Sequence, residues 1–168
     1  MNQICKRRWN ILLYTDEKER EKEIIEEMEV KLAIVGSRTF NDYATFNFVM
    51  NKICRENEYN VKQVISGGAI GADTYGEQFA RLRNIPIRVL RPDWNREGKK
   101  AGFLRNVEII KACTVCIAFW DGESHGTRHD IQLCIEQKKD CWVYNIKTNK
   151  LFFRAGSEEG DDIFRIST

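Results

Sequence analysis

Ser66-Gly67-Gly68-Ala69-Ile70-Gly71-Ala72-Asp73 follows the β-branched run Val61 to Ile65 and leads into a helical pattern. A strand that ends in glycine and turns into a helix presents unpaired N–H groups and the positive end of a helix dipole at one spot. That spot suits a phosphate or a carboxylate. Glycine also serves tight turns for steric reasons alone, so one such turn carries little weight. A second one exists: Gly122-Glu123-Ser124-His125-Gly126-Thr127, after the run Val115 to Trp120. Two turns in register with two strand-to-helix switches of one domain point to a phosphorylated small-molecule ligand.

Outward from these turns, five apolar runs alternate with four helical patterns. The runs are Leu32 to Gly36, Val61 to Ser66, Ile85 to Leu90, Val115 to Trp120 and Cys141 to Ile146. This alternation predicts an α/β fold, a Rossmann-like three-layer sandwich with a mainly parallel sheet of five strands or slightly more. The first helix, about Asp42 to Asn57, places Tyr43, Phe46, Val49, Met50 and Ile53 on one stripe, which makes its aromatics core. The second, about Ala72 to Asn84, is expected to bury Tyr75, Phe79 and Leu82, and to end before Ile85-Pro86. The third, about Ala101 to Cys113, turns Val107, Ile110 and Leu104 inward. The fourth opens at Gly126-Thr127 and packs Ile131, Cys134 and Ile135.

The domain is expected to span residues 30–150. Before it lies a charged extension, 1–29, whose residues 16–29 hold eight acids against three bases and read as a solvated helix. After it comes a tail, 151–168, with a short strand or hook at Leu151-Phe152-Phe153. With 168 residues, 42% of them hydrophobic, the chain suits one domain with tails. A net charge of +2 lacks the strong field of a dedicated nucleic-acid binder. No apolar run nears the roughly 18 residues of a membrane span, and no secretory signal opens the chain, so a cytoplasmic location is expected.

Six cysteines stand at 5, 54, 113, 116, 134 and 141. Cys113 and Cys116 form a CxxC in a buried-strand pattern, where residues three apart face opposite ways and cannot share a metal. Buried reduced thiols, no metal and no cofactor are the expectation.

The loop Gly36-Ser37-Arg38-Thr39-Phe40 follows the first strand, where a switch point would bring Ser37 and Arg38 to the strand ends. Arg38 suits a bidentate phosphate contact or a plain surface position. The stretch Arg91 to Asn106 is dense in bases and amides around Asp93 and Trp94. Trp94 offers a stacking platform for a base, or packs against a solvated basic loop. Asp73 and Glu77 lie on one helix face at i and i+4, favourable at a helix start and positioned for ribose or amide contact. His125 and His129 lack an obvious third ligand other than Asp130.

The order GSR, SGGAxGAD, PDW with GKxAGxxRN, and FWDGxSxGT, from Val30 to Ile146, resembles the small YspA-type branch of the SLOG superfamily. This Rossmann-like group includes the LOG phosphoribohydrolases, the DprA recombination mediators and nucleotide-sensing domains of bacterial immunity. The resemblance implies strand order 3-2-1-4-5 and a site in the crevice between strands one and four. In the LOG pattern an arginine before a helix pairs with a downstream GTxxE. Arg105 stands for that arginine, and Gly126-Thr127-Arg128-His129-Asp130 matches with aspartate in place of glutamate. In such enzymes the carboxylate assists departure of the base from C1 of the ribose while the arginine holds substrate. The PGG run that precedes GT is replaced by Asp121-Gly122-Glu123-Ser124-His125, where Glu123 or His125 would supply a missing acid or base.

The expected ligand is therefore a nucleotide or nucleotide-derived molecule, with hydrolysis of its N-glycosidic bond as the candidate reaction. Arg105 and Asp130 are the catalytic candidates. The binding candidates are Gly36, Ser37, Arg38, Ser66, Gly67, Gly68, Ala69, Gly71, Asp73, Asp93, Trp94, Asn106, Gly126 and Thr127. A homo-oligomer is expected. The rival readings are a sensor or sequestering module without turnover, and a DprA-like nucleic-acid binder.

Overall fold

A computed structural model describes residues 17–159. The first sixteen residues of the charged extension and the end of the C-terminal tail lie outside them. The elements run α1 (Glu17–Met28), β1 (Glu29–Gly36), α2 (Tyr43–Glu56), β2 (Asn60–Ser66), α3 (Ala72–Leu82) and β3 (Ile87–Val89). They continue with the short α4 (Trp94–Glu97), α5 (Ala101–Ala112), β4 (Val115–Trp120), α6 (His125–Glu136), β5 (Asp140–Asn145) and β6 (Lys150–Arg154). No described helix is long and apolar enough to cross a membrane.

The six strands are ordered β3-β2-β1-β4-β5-β6, parallel except for the antiparallel β5–β6 edge. The five parallel strands have the expected order, and the Leu151-Phe152-Phe153 hook is the sixth strand. β4 is buried at every position, as a central strand covered on both faces must be. Alternate residues feed two cores. On one face Leu32, Ile34, Ile117 and Phe119 meet Phe46, Met50 and Ile53 of α2 and Phe79 of α3. On the other, Ala33, Val35, Cys116 and Ala118 meet Ile109 and Ile110 of α5 and Ile131 and Cys134 of α6. Full burial of one such aliphatic or aromatic side chain contributes about 1.5–3 kcal/mol, so the two layers supply the main driving force for folding.

The local signals act as their chemistry requires. Asp42 caps α2 by accepting from the Thr45 amide at 3.0 Å and the Thr45 hydroxyl at 2.6 Å. Two expected core positions are corrected: Leu82 is 66% exposed and Leu104 is 39% exposed. Leu82 is the last residue of α3, just before the chain turns away through Arg83 and Asn84, where Asn84 takes φ 54°. On α5 the inward stripe runs through Ala101, Ile109 and Ile110, which leaves Leu104 at its edge.

The chain runs outward from β1 through β2 to β3, then returns to β4 on the other side of β1. The loops leaving β1 and β4 therefore diverge, and a crevice opens at the carboxyl ends of these neighbours.

Candidate functional site

The loop after β1 and the loop after β4 are tied to each other. Ser37 is buried, its amide donates to Phe119 O at 2.9 Å, and its hydroxyl accepts from the Asp121 amide at 3.2 Å. Asp121 Oδ1 in turn accepts from the amides of Glu123 at 2.9 Å and Ser124 at 2.7 Å. Burial opposes its charge, but these hydrogen bonds outweigh that and hold its carboxyl below the usual range. Between the loops lies a cavity of about 330 Å³, lined in part by Gly36, Ser37, Arg38, Ala69, Asp73 and Arg105. Asn106, Gly126, Thr127 and Asp130 line it too.

The first glycine turn behaves differently from expectation. Its amides are consumed within the chain: Gly67 N–H donates to Asp73 Oδ2 at 2.9 Å, Ala69 N–H to the same oxygen at 3.4 Å, and Gly68 N–H to Ser66 Oγ at 3.0 Å. The Ser66 hydroxyl donates onward to Glu77 Oε1 at 2.9 Å. Asp73 thus occupies the place where an anionic ligand was expected, because a carboxylate in the first turn of a helix meets the preceding amides without leaving the chain. Gly71 has a steric role. At φ 86° and with a Cβ position 2.5 Å from Ser37 O, it lets this turn lie against the loop after β1. Ser66, Gly67, Gly68 and Gly71 shape the wall without lining the cavity.

The second glycine turn is the open one. Ser124 is the N-cap of α6 but makes no side-chain cap, its hydroxyl lying 3.1 Å from Thr127 Oγ1 instead. The first turn of this helix keeps its N–H groups unclaimed by a capping side chain, at the cavity wall formed by Ser124, Gly126 and Thr127. Arg38 stands exposed at the lip.

At the floor, Arg105 donates from Nη1 to Gly67 O at 2.7 Å, while its buried Nε has no partner. Asp130 is buried, and its Oδ1 also lacks a hydrogen-bond partner. Burial pushes the Asp130 carboxyl well above the usual range, and the charge of Asp73 pushes it further, against the attraction of Arg105. Asp73 is raised to about 6, chiefly by burial, with the Ala69 amide, Arg105 and the Gly67 amide opposing. Two neighbouring carboxyls with raised affinity for protons thus lie beside one guanidinium at the floor, under a wall of helix N–H groups without a capping side chain.

Asp93 and Trp94 are not brought to the cavity. Asp93 caps the short α4, accepting from the Arg96 amide at 3.0 Å, and Trp94 is 56% exposed outside it. Glu123 pairs with Lys147 at 2.6 Å, and neither it nor His125 is among the residues that line the cavity. His129 stacks on Phe103 with centroids 4.2 Å apart, and its Nδ1 lies 3.3 Å from Asn106 Nδ2. Asp121 and Ser124 line the cavity without having been singled out. An aspartate three residues before a serine at a helix start was the available signal, since that spacing forms a side-chain turn leading into a cap.

The model of the YspA, cpYpsA-related SLOG family matches residues 30–96. The chain is also 38% identical over 105 residues to the Gene 61 protein of Mycobacterium phage D29, an alignment covering 59% of this chain and 83% of that protein. No solved structure matches it.

Proposed function

Since this chain belongs to the YspA, cpYpsA-related SLOG family, we propose that its cavity binds the ribose-phosphate portion of a nucleotide and that Asp130 assists cleavage of the N-glycosidic bond. The observation that carries this reading is the buried, unpartnered Asp130 Oδ1 on the floor of a cavity whose wall is the uncapped first turn of α6. A cavity of about 330 Å³ lies at the small end of ligand pockets, which suits a sugar phosphate with its base toward the mouth. The phosphate would rest on the first turn of α6 with Arg38 as its cation, and Arg105 would hold the sugar end.

In the proposed reaction water adds to C1 of the ribose as the bond to the base nitrogen breaks. Asp130, whose carboxyl burial pushes toward the protonated form, gives its proton to the departing nitrogen and is reprotonated from the attacking water. Binding without turnover is the second reading, favoured by the absence of Glu123 and His125 from the cavity wall. Calorimetry with nucleoside 5′-monophosphates, followed by chromatography for free base, separates the two. Binding with base release, lost about a hundredfold or more in Asp130→Asn while affinity persists, supports the hydrolase. Binding with no release by the unaltered protein supports the sensor, and no binding of any nucleotide overturns both.

A further inference from the structure

Behind the site, in the core between the sheet and α5–α6, three thiols converge from distant parts of the chain. Cys116 on β4 and Cys141 on β5 are register partners, and Cys134 of α6 packs over them. Their Sγ atoms all lie within 4.8 Å of one another, and none of the three residues is more than 1% exposed. The opposite core layer has one cysteine packed at its margin, the partly buried Cys54, and no second thiol beside it among the described residues. Free cysteine packs as a small hydrophobe, so burial alone does not set this trio apart; the mutual approach of all three sulfurs does.

We propose that Cys116, Cys134 and Cys141 form a closed three-thiolate site for a monovalent copper ion. A metal–sulfur bond of about 2.3 Å in a trigonal plane sets sulfurs about 4 Å apart, so displacements under an ångström complete the ligand set. Soft thiolates select thiophilic ions such as Cu(I), and the three groups that converge here are all thiols. Zinc prefers four ligands. The further thiol in this layer, Cys113, is 3.3 Å from Ile110 O, to which it donates, and stands outside the trio. The CxxC spacing is therefore not the motif; the register of β4 and β5 is.

On loading, thiol protons leave to solvent as three sulfur–copper bonds form, and copper stays Cu(I), so no oxidant is required. Full burial makes loading depend on local opening of α6 from the sheet, which predicts slow uptake compared with an exposed thiol.

The test uses the full reduced chain, titrated with Cu(I) under anaerobic conditions against a chromogenic Cu(I) chelator, with X-ray absorption to count sulfur neighbours. One equivalent held with three sulfurs is expected, unchanged in a Cys5→Ser, Cys54→Ser double variant and weakened at least a hundredfold in Cys134→Ser. Failure to retain copper, a sulfur count of two, or full retention in Cys134→Ser overturns the proposal. The sulfur count is made on the unaltered protein and so stands whether or not Cys134→Ser folds.

Discussion

Asp130→Asn should make this protein more stable at neutral and alkaline pH while removing its proposed chemistry. The carboxyl is buried, one of its oxygens has no partner, and the nearby charge of Asp73 repels it. An amide of the same shape keeps the unsatisfied oxygen but removes the burial penalty on the ionised form. An unpaired buried charge costs at least the roughly 1–3 kcal/mol of an unsatisfied neutral group, so relief of the charge is expected to gain about that much at pH 8. For a chain of this size that corresponds to a rise in Tm of roughly 2–12 °C. The pH dependence fixes the cause. Because the folded protein binds the Asp130 proton more tightly than the unfolded chain does, the stability of the unaltered protein rises as pH falls through the folded pKa. It levels off near the ordinary value of 3.8. The variant lacks that gain, so the gap between the two proteins should close toward pH 4, and carboxylates common to both cancel in the difference. Calorimetric melts at pH 4, 6 and 8 check this. A variant less stable at pH 8, or a gap that does not change with pH, would refute the reasoning.

Gly67→Ala places a Cβ over Arg105 Nη1 and 2.8 Å from Asp73 Oδ2. The displaced guanidinium loses its bond to Gly67 O, about 1.5–3 kcal/mol, and nucleotide affinity should fall roughly tenfold or more by calorimetry; unchanged affinity would remove Arg105 from the binding site. Gly71→Ala combines a positive φ with a 2.5 Å approach to Ser37 O, so denaturant melts should show a loss of at least about 1–3 kcal/mol. Arg105→Lys keeps the charge but not the fork, and should weaken nucleotide binding by about 1–3 kcal/mol; full affinity in the lysine variant would make the contact a simple point charge.

The sequence by itself determined the layered α/β architecture, because apolar runs and helical stripes are local patterns that fix which side of each element is buried. The resemblance to the SLOG pattern also pointed to the crevice between the loops after β1 and β4, where Ser37, Arg38, Gly126, Thr127 and Asp130 line one cavity. Only the tertiary structure decided which glycine turn stays open. The two turns look alike as strings, but in the first the Asp73 carboxylate folds back onto Gly67 and Ala69, and in the second Ser124 leaves α6 uncapped. Hydrogen-bond competition of this kind depends on side-chain geometry, which residue order does not carry. The same holds for Trp94, whose loop suggested a stacking role and whose side chain stands outside the cavity. The three cysteines were the least legible feature. Their meeting rests on the pairing of Cys116 with Cys141 and on α6 crossing above them, and such non-local register is set by how whole elements pack, not by spacing along the chain.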